Sequence, residues 1–144
     1  MRLARRPATG ASAAPLALAL ALACATPPPA PRPAYLRFDP MRFEETYDRA
    51  RAVLEQRGYV LAEANSLKGR LATEPRALDG RCGAAPCRMQ ERVEVDLSIK
   101  GEMTLRVRRE VLTSGSWVPA TSPEQIAEAE SIETYLVAAM AAPR

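Results

Sequence analysis

The sequence predicts an α+β fold: a two-layer sandwich in which a four-stranded antiparallel meander is flanked by an N-terminal and a C-terminal helix, in the order α-β-β-β-β-α. Three observations predict it. Apolar residues recur at helical spacing near both ends of the folded part, at Phe43, Tyr47, Ala50 and Leu54 and again at Ala129, Ile132, Leu136 and Ala139. Between them, Val93, Val95, Leu97 and Ile99, and then Met103, Leu105 and Val107, alternate with polar residues, which is the period of a strand with one buried face. The intervening positions are mostly charged, so one sheet face meets water and both helices cover the other.

The chain of 144 residues opens with Arg2, Arg5 and Arg6, followed by a run of Ala, Pro and Leu from Ala14 to Ala23 and then Cys24. A basic start, a short apolar stretch and small residues before a cut site make an export signal, residues 1–23. The run is too short to span a bilayer, which takes about 20 apolar residues. Ala21-Leu22-Ala23-Cys24 resembles the lipobox of bacterial lipoproteins, whose cysteine is lipid-modified and becomes the new N-terminus. That resemblance implies a lipid on Cys24 and anchorage in the cell envelope. Ala25 rather than aspartate follows, which implies the outer membrane, facing the periplasm. Cleavage after Ala23 or Ala25 to a secreted or soluble periplasmic form is the alternative. Residues 24–38 are rich in proline and read as a tether. Ten residues of polyproline-type chain reach roughly 30 Å.

Residues 39–144 remain for a single domain. Asp39-Pro40 is an N-cap followed by proline in the first turn, and Gly58 fits the position after a helix end, so the first helix is placed at residues 40–57. Residues 59–64 and 69–74 read as two short strands. A loop over residues 75–88 contains Cys82 and Cys87. With Cys24 assigned to lipid these two form an even pair in an oxidising compartment, and a local disulfide is expected. A metal site would need four ligands, and the chain has no histidine and no other thiol. A redox role is disfavoured because the spacing is not Cys-x-x-Cys.

The long hairpin is placed in register by charge. With Ile99 opposite Met103, Arg92 meets Glu110, Glu94 meets Arg108 and Asp96 meets Arg106 on the outer face. Arg109 then falls on the apolar face opposite Val93 and is expected to snorkel at the sheet edge. Trp117 is expected to pack over the end of the core, with an exposed binding tip as the alternative. Ser122-Pro123-Glu124-Gln125 is a capping box opening the second helix, which runs to about Ala141. Its buried stripe is Ala129, Ile132, Leu136 and Ala139, with Ile126 and Met140 beside it. In the first hairpin, Glu63 opposite Arg70 and Leu61 opposite Ala72 place Tyr59, Leu61 and Ala72 on the outer face as a small apolar partner patch. Tyr59 closing the end of the first helix is the competing reading.

The net charge of +3 belongs to the signal: of 20 basic residues, removing Arg2, Arg5 and Arg6 leaves 17 against 17 acidic ones. Nothing in the mature chain suggests nucleic acid. The segment from Tyr47 through Gly58-Tyr59 to Gly69-Arg70-Leu71-Ala72-Thr73 resembles the small periplasmic domains of the C lipoprotein of the β-barrel assembly machinery. That resemblance covers about 30 residues and implies an accessory or binding module with no cofactor; no functional residue carries over. The expected function is therefore a non-enzymatic, membrane-anchored module that binds an envelope protein. A periplasmic binder of a small or lipidic ligand is the alternative. Without histidine, acid–base catalysis would fall to carboxylates or to Lys68 and Lys100, and most of the hairpin carboxylates already have arginine partners.

Overall fold

The structure, a computed structural model, describes residues 33–142. Cys24, the expected signal segment and most of the expected tether lie outside the described residues. The described chain runs β1 (Ala34–Arg37), a 3₁₀ turn (Pro40–Arg42), α1 (Phe43–Gln56), β2 (Leu61–Asn65), β3 (Arg70–Thr73), β4 (Arg76–Cys82), β5 (Ala85–Ser98), β6 (Glu102–Thr113), β7 (Ser116–Pro119) and α2 (Pro123–Ala141).

The alternating segment forms a hairpin of 14 and 12 residues, β5 and β6, about 45 Å long at the rise of an extended strand. It is the spine of one antiparallel sheet. Near its turn the strand order is β1-β6-β5-β3-β2. Farther along, β4 replaces β3 beside β5, and β7 replaces β1 beside β6. The α+β class, the antiparallel sheet and the two helices are as expected, but the sheet has seven strands rather than four. The extra strands have physical reasons. The end of the tether, Ala34–Arg37, pairs with Leu105–Glu102 and becomes β1. The expected loop at 75–88 is itself a hairpin, β4 against the start of β5. Both β4 and β7 lack apolar alternation, because they lie at edges where solvent reaches them; β7 is exposed throughout.

The spine's register differs from the expected one by two residues. Leu97 stands opposite Met103, Ser98 opposite Glu102, and Ile99-Lys100-Gly101 form the turn. Gly101 has φ 81 and its N–H donates to the Ser98 carbonyl at 3.0 Å, the left-handed position that a three-residue hairpin loop requires. A shift of two preserves parity, so the inward residues are still Val93, Val95, Leu97, Met103, Leu105 and Val107, all buried. Two of the three expected charge pairs survive as diagonals, Arg92 to Glu110 at 3.2 Å and Arg108 to Glu94 at 3.1 Å. The third does not form, because Asp96 now stands opposite Thr104 and Arg106 opposite Glu94.

Both helices cover the inward face. Asp39 caps the 3₁₀ turn by accepting from the Met41 N–H at 3.0 Å, so the first helical segment begins as 3₁₀ and continues as α1. Tyr47, Ala50 and Leu54 are buried, with Phe43 packed beside them. The Tyr59 N–H reaches back to the Leu54 carbonyl at 3.1 Å across Gly58, which closes the helix. In α2 the Ser122 hydroxyl accepts from the Gln125 N–H. The buried stripe of α2 is Gln125, Ala129, Glu133, Leu136 and Met140. Ile126, Ile132 and Ala139, expected in or beside it, are only partly buried.

Candidate functional site

Of the residues singled out from the sequence, Cys82 and Cys87 are joined by a disulfide, Cα to Cα 5.6 Å. They clasp the end of the β4–β5 hairpin, far from the spine's turn. Cys24 lies outside the described residues. The proposed patch of Tyr59, Leu61 and Ala72 does not form. Around the β2–β3 turn the observed pairs are Asn65 with Arg70 and Glu63 with Ala72, followed by a bulge that sets Leu61 opposite Thr73. The extra residue turns the strand's faces over. Tyr59 is buried, Leu61 packs against the core, and Val60 between them is exposed. Trp117, expected over the core, sits on edge strand β7 opposite Leu112 and is 42% exposed.

A buried charge cluster was missed in the sequence. Glu91 is fully buried on the inward face of β5. Its Oε1 accepts from the Tyr59 hydroxyl at 2.7 Å and from Arg76 Nη2 at 3.0 Å, and its Oε2 accepts from Arg109 Nε at 2.9 Å. Arg109 also pairs with Glu128 of α2. Arg109 therefore stands opposite Glu91 rather than Val93, which explains an arginine at an inward position. The signal was present: Glu91 and Arg109 share the parity of the buried valines. Burial, and then the hydrogen bond to Glu91, push the Tyr59 hydroxyl well above its usual range. Arg76 lies 4.2 Å over the Tyr59 ring. Donors occupy both oxygens of Glu91, so the cluster joins β4, β5, β6 and α2 and presents no free base.

Two cavities flank the first turns of α2, and Arg109 borders both. One, of about 590 Å³, lies under the β4–β5 hairpin against Leu78, Gly80, Met89 and Gln125. The other, of about 230 Å³, lies against β6 and β7, walled by Val107, Pro119, Ile126 and Ala129. Gln125 holds the divide by donating to the Arg81 carbonyl at 3.0 Å. Among the described residues no group of three acidic or cysteine side chains is placed to hold a metal ion. No described helix is long and apolar enough to cross a membrane.

No protein-family model matches the chain, and no curated protein matches it by sequence. Among solved structures the fold is similar to the crystal structure of a DUF4468 family protein from Bacteroides ovatus. That likeness has a TM-score of 0.54 at 10% identity and covers 76% of this chain and 85% of that one. At this identity the likeness shows the fold alone.

Proposed function

We propose that the chain is a module of the bacterial cell envelope, lipidated at Cys24, held at the outer membrane facing the periplasm, and working by binding an envelope protein rather than by catalysis. The observation that carries the binding reading is the end of the sheet away from the spine's turn. There β7 pairs among the described strands with β6 alone, and Trp117 and Val118 are exposed on it. An open strand edge offers backbone donors and acceptors to an added strand, and tryptophan is enriched where proteins meet. The Cys82–Cys87 disulfide supports an oxidising compartment. The internal pairing of Glu91 supports a non-catalytic role.

A photo-crosslinking amino acid in place of Trp117, introduced into the full chain in cells, tests this reading. One dominant adduct of protein size is expected there, and none from the same probe at Arg51 on the exposed face of α1. Equal labelling from both positions, or none from 117, overturns it. The alternative, a binder of a small or lipidic ligand, is favoured by the cavity of about 590 Å³, which lies within the usual range for ligand sites. Mass spectrometry of an organic extract of the purified protein would find such a ligand.

A further inference from the structure

Three chain segments meet at the end of the sheet opposite Trp117, and each presents an apolar residue followed by a basic one. These are Met41-Arg42 in the 3₁₀ turn, Leu67-Lys68 in the β2–β3 turn and Ile99-Lys100 in the spine's turn. The three apolar side chains are the most exposed large hydrophobic residues described: Met41 91%, Leu67 98% and Ile99 80%. Met41 and Ile99 line one open hollow with Phe43, whose rim also carries Arg42, Glu44 and Glu45. Gly69, two residues after Leu67, lies against both Phe43 and the Leu97 carbonyl, which ties the β2–β3 turn to the same end. Lys68 and Lys100 are the only lysines in the chain. Among the described residues neither has an ion pair, whereas Arg42 is held by Glu45 at 2.8 Å and Arg37 approaches Glu102 at 3.7 Å.

We infer that this end is a membrane-contact surface for an anionic bilayer. The apolar tips enter beneath the headgroups, and the two unpaired ammonium groups lie level with the phosphates. Alternative occupants fit less well. A protein groove would be expected to meet a continuous apolar face, whereas here three separate tips are each followed in sequence by a basic residue, held by Glu45 at Arg42 and without an ion pair at Lys68 and Lys100, a pairing of apolar and cationic groups that suits an interface. Lysine near an anionic surface adds attraction. The inference rests on the proposed lipid anchor in one respect: ten residues from Cys24 to Ala34 would keep the domain within roughly 30 Å of the bilayer, so weak contacts suffice.

The test uses the mature chain from residue 24, which contains every described element, with Cys24→Ser so that no anchor contributes. It is sedimented with vesicles of phosphatidylglycerol and phosphatidylethanolamine and, separately, of phosphatidylcholine alone. Binding to the anionic vesicles is expected, weaker on phosphatidylcholine. Ile99→Ser and Leu67→Ser should each reduce partitioning about tenfold, and Lys68→Glu with Lys100→Glu should remove the preference for anionic lipid. These side chains are exposed, so the variants keep the fold, which circular dichroism verifies. No binding by the parent, or equal binding by the variants, overturns the inference, as does association of the chain with itself through Ile99 in sedimentation without vesicles. Mass spectrometry of the chain isolated from cells reads the Cys24 lipid separately, so a missing anchor and a missing surface contact are distinct results.

Discussion

Glu133 carries the clearest pH signature at the level of single residues. It lies on the buried stripe of α2, and its Oε1 accepts from the Val107 N–H at 2.7 Å. Burial raises its pKa; the hydrogen bond from Val107 opposes that shift without cancelling it. A raised folded pKa means that the native state holds the proton more tightly than the unfolded chain does. The associated stability is fully present below the unfolded value, about 4.3, and is lost as pH rises through the folded one. Glu133→Gln keeps an oxygen for the Val107 N–H and removes the charge. The variant should therefore exceed the parent in urea midpoint at pH 7.5 and match it at pH 3.5. The same difference at both pH values would show that burial of the charge carries no penalty. The inward acids were partly legible in the sequence. Glu91 shares the spine's parity, and Arg109 stood out as a misfit, but Tyr59 as the partner of Glu91 was hidden because the β2–β3 bulge turns that strand over. Glu133 was hidden because helical spacing alone allowed a stripe rotated toward Ile132.

The sheet changes partners halfway along its spine, and the change explains both which elements were legible and which were not. Val93 and Val107 stand opposite each other where β3 gives way to β4 on one side and β1 to β7 on the other. Neither N–H has a flanking strand to meet. The Thr73 hydroxyl accepts from Val93 at 2.8 Å, and the Glu133 carboxylate accepts from Val107. Side chains thus complete the ladder at both breaks, as buried backbone donors require. Thr73→Val keeps the shape and orphans the Val93 N–H, so a loss of about 1–3 kcal/mol is expected in denaturant unfolding. Thr73→Ser should restore most of it. An unchanged midpoint in the valine variant would mean that water supplies the bond. Helix ends were readable because Asp39, Gly58 and Ser122 leave local chemical marks, and the spine was readable by alternation. The four-residue β1 and β7 carry no such mark; their pairing is set by neighbours distant in the chain. The spine's register slipped by two because charges were matched straight across, where the fold joins them diagonally.

For the whole molecule, the disulfide closes the end farthest from the spine's turn. A ring this short restricts the unfolded chain modestly, so Cys82→Ser should cost about 2 kcal/mol and leave the fold intact. Amide exchange should quicken at Leu78 and Gly80 while Val95 and Leu105 keep their protection. Equal loss at all four would show that the sheet opens as one unit. The breaks at Val93 and Val107 carry a consequence for how such a protein can change its size. Everything between the spine's turn and the breaks is braced by α1, β1, β2 and β3, whereas beyond them β4 and β7 depend on the spine strands and on α2. Inserting two residues in each of the four distal strands would preserve every inward and outward parity and leave the braced half untouched. Each such step would extend the Trp117 end by about 7 Å. The distance from that end to the spine's turn is thus a length that small paired insertions can tune.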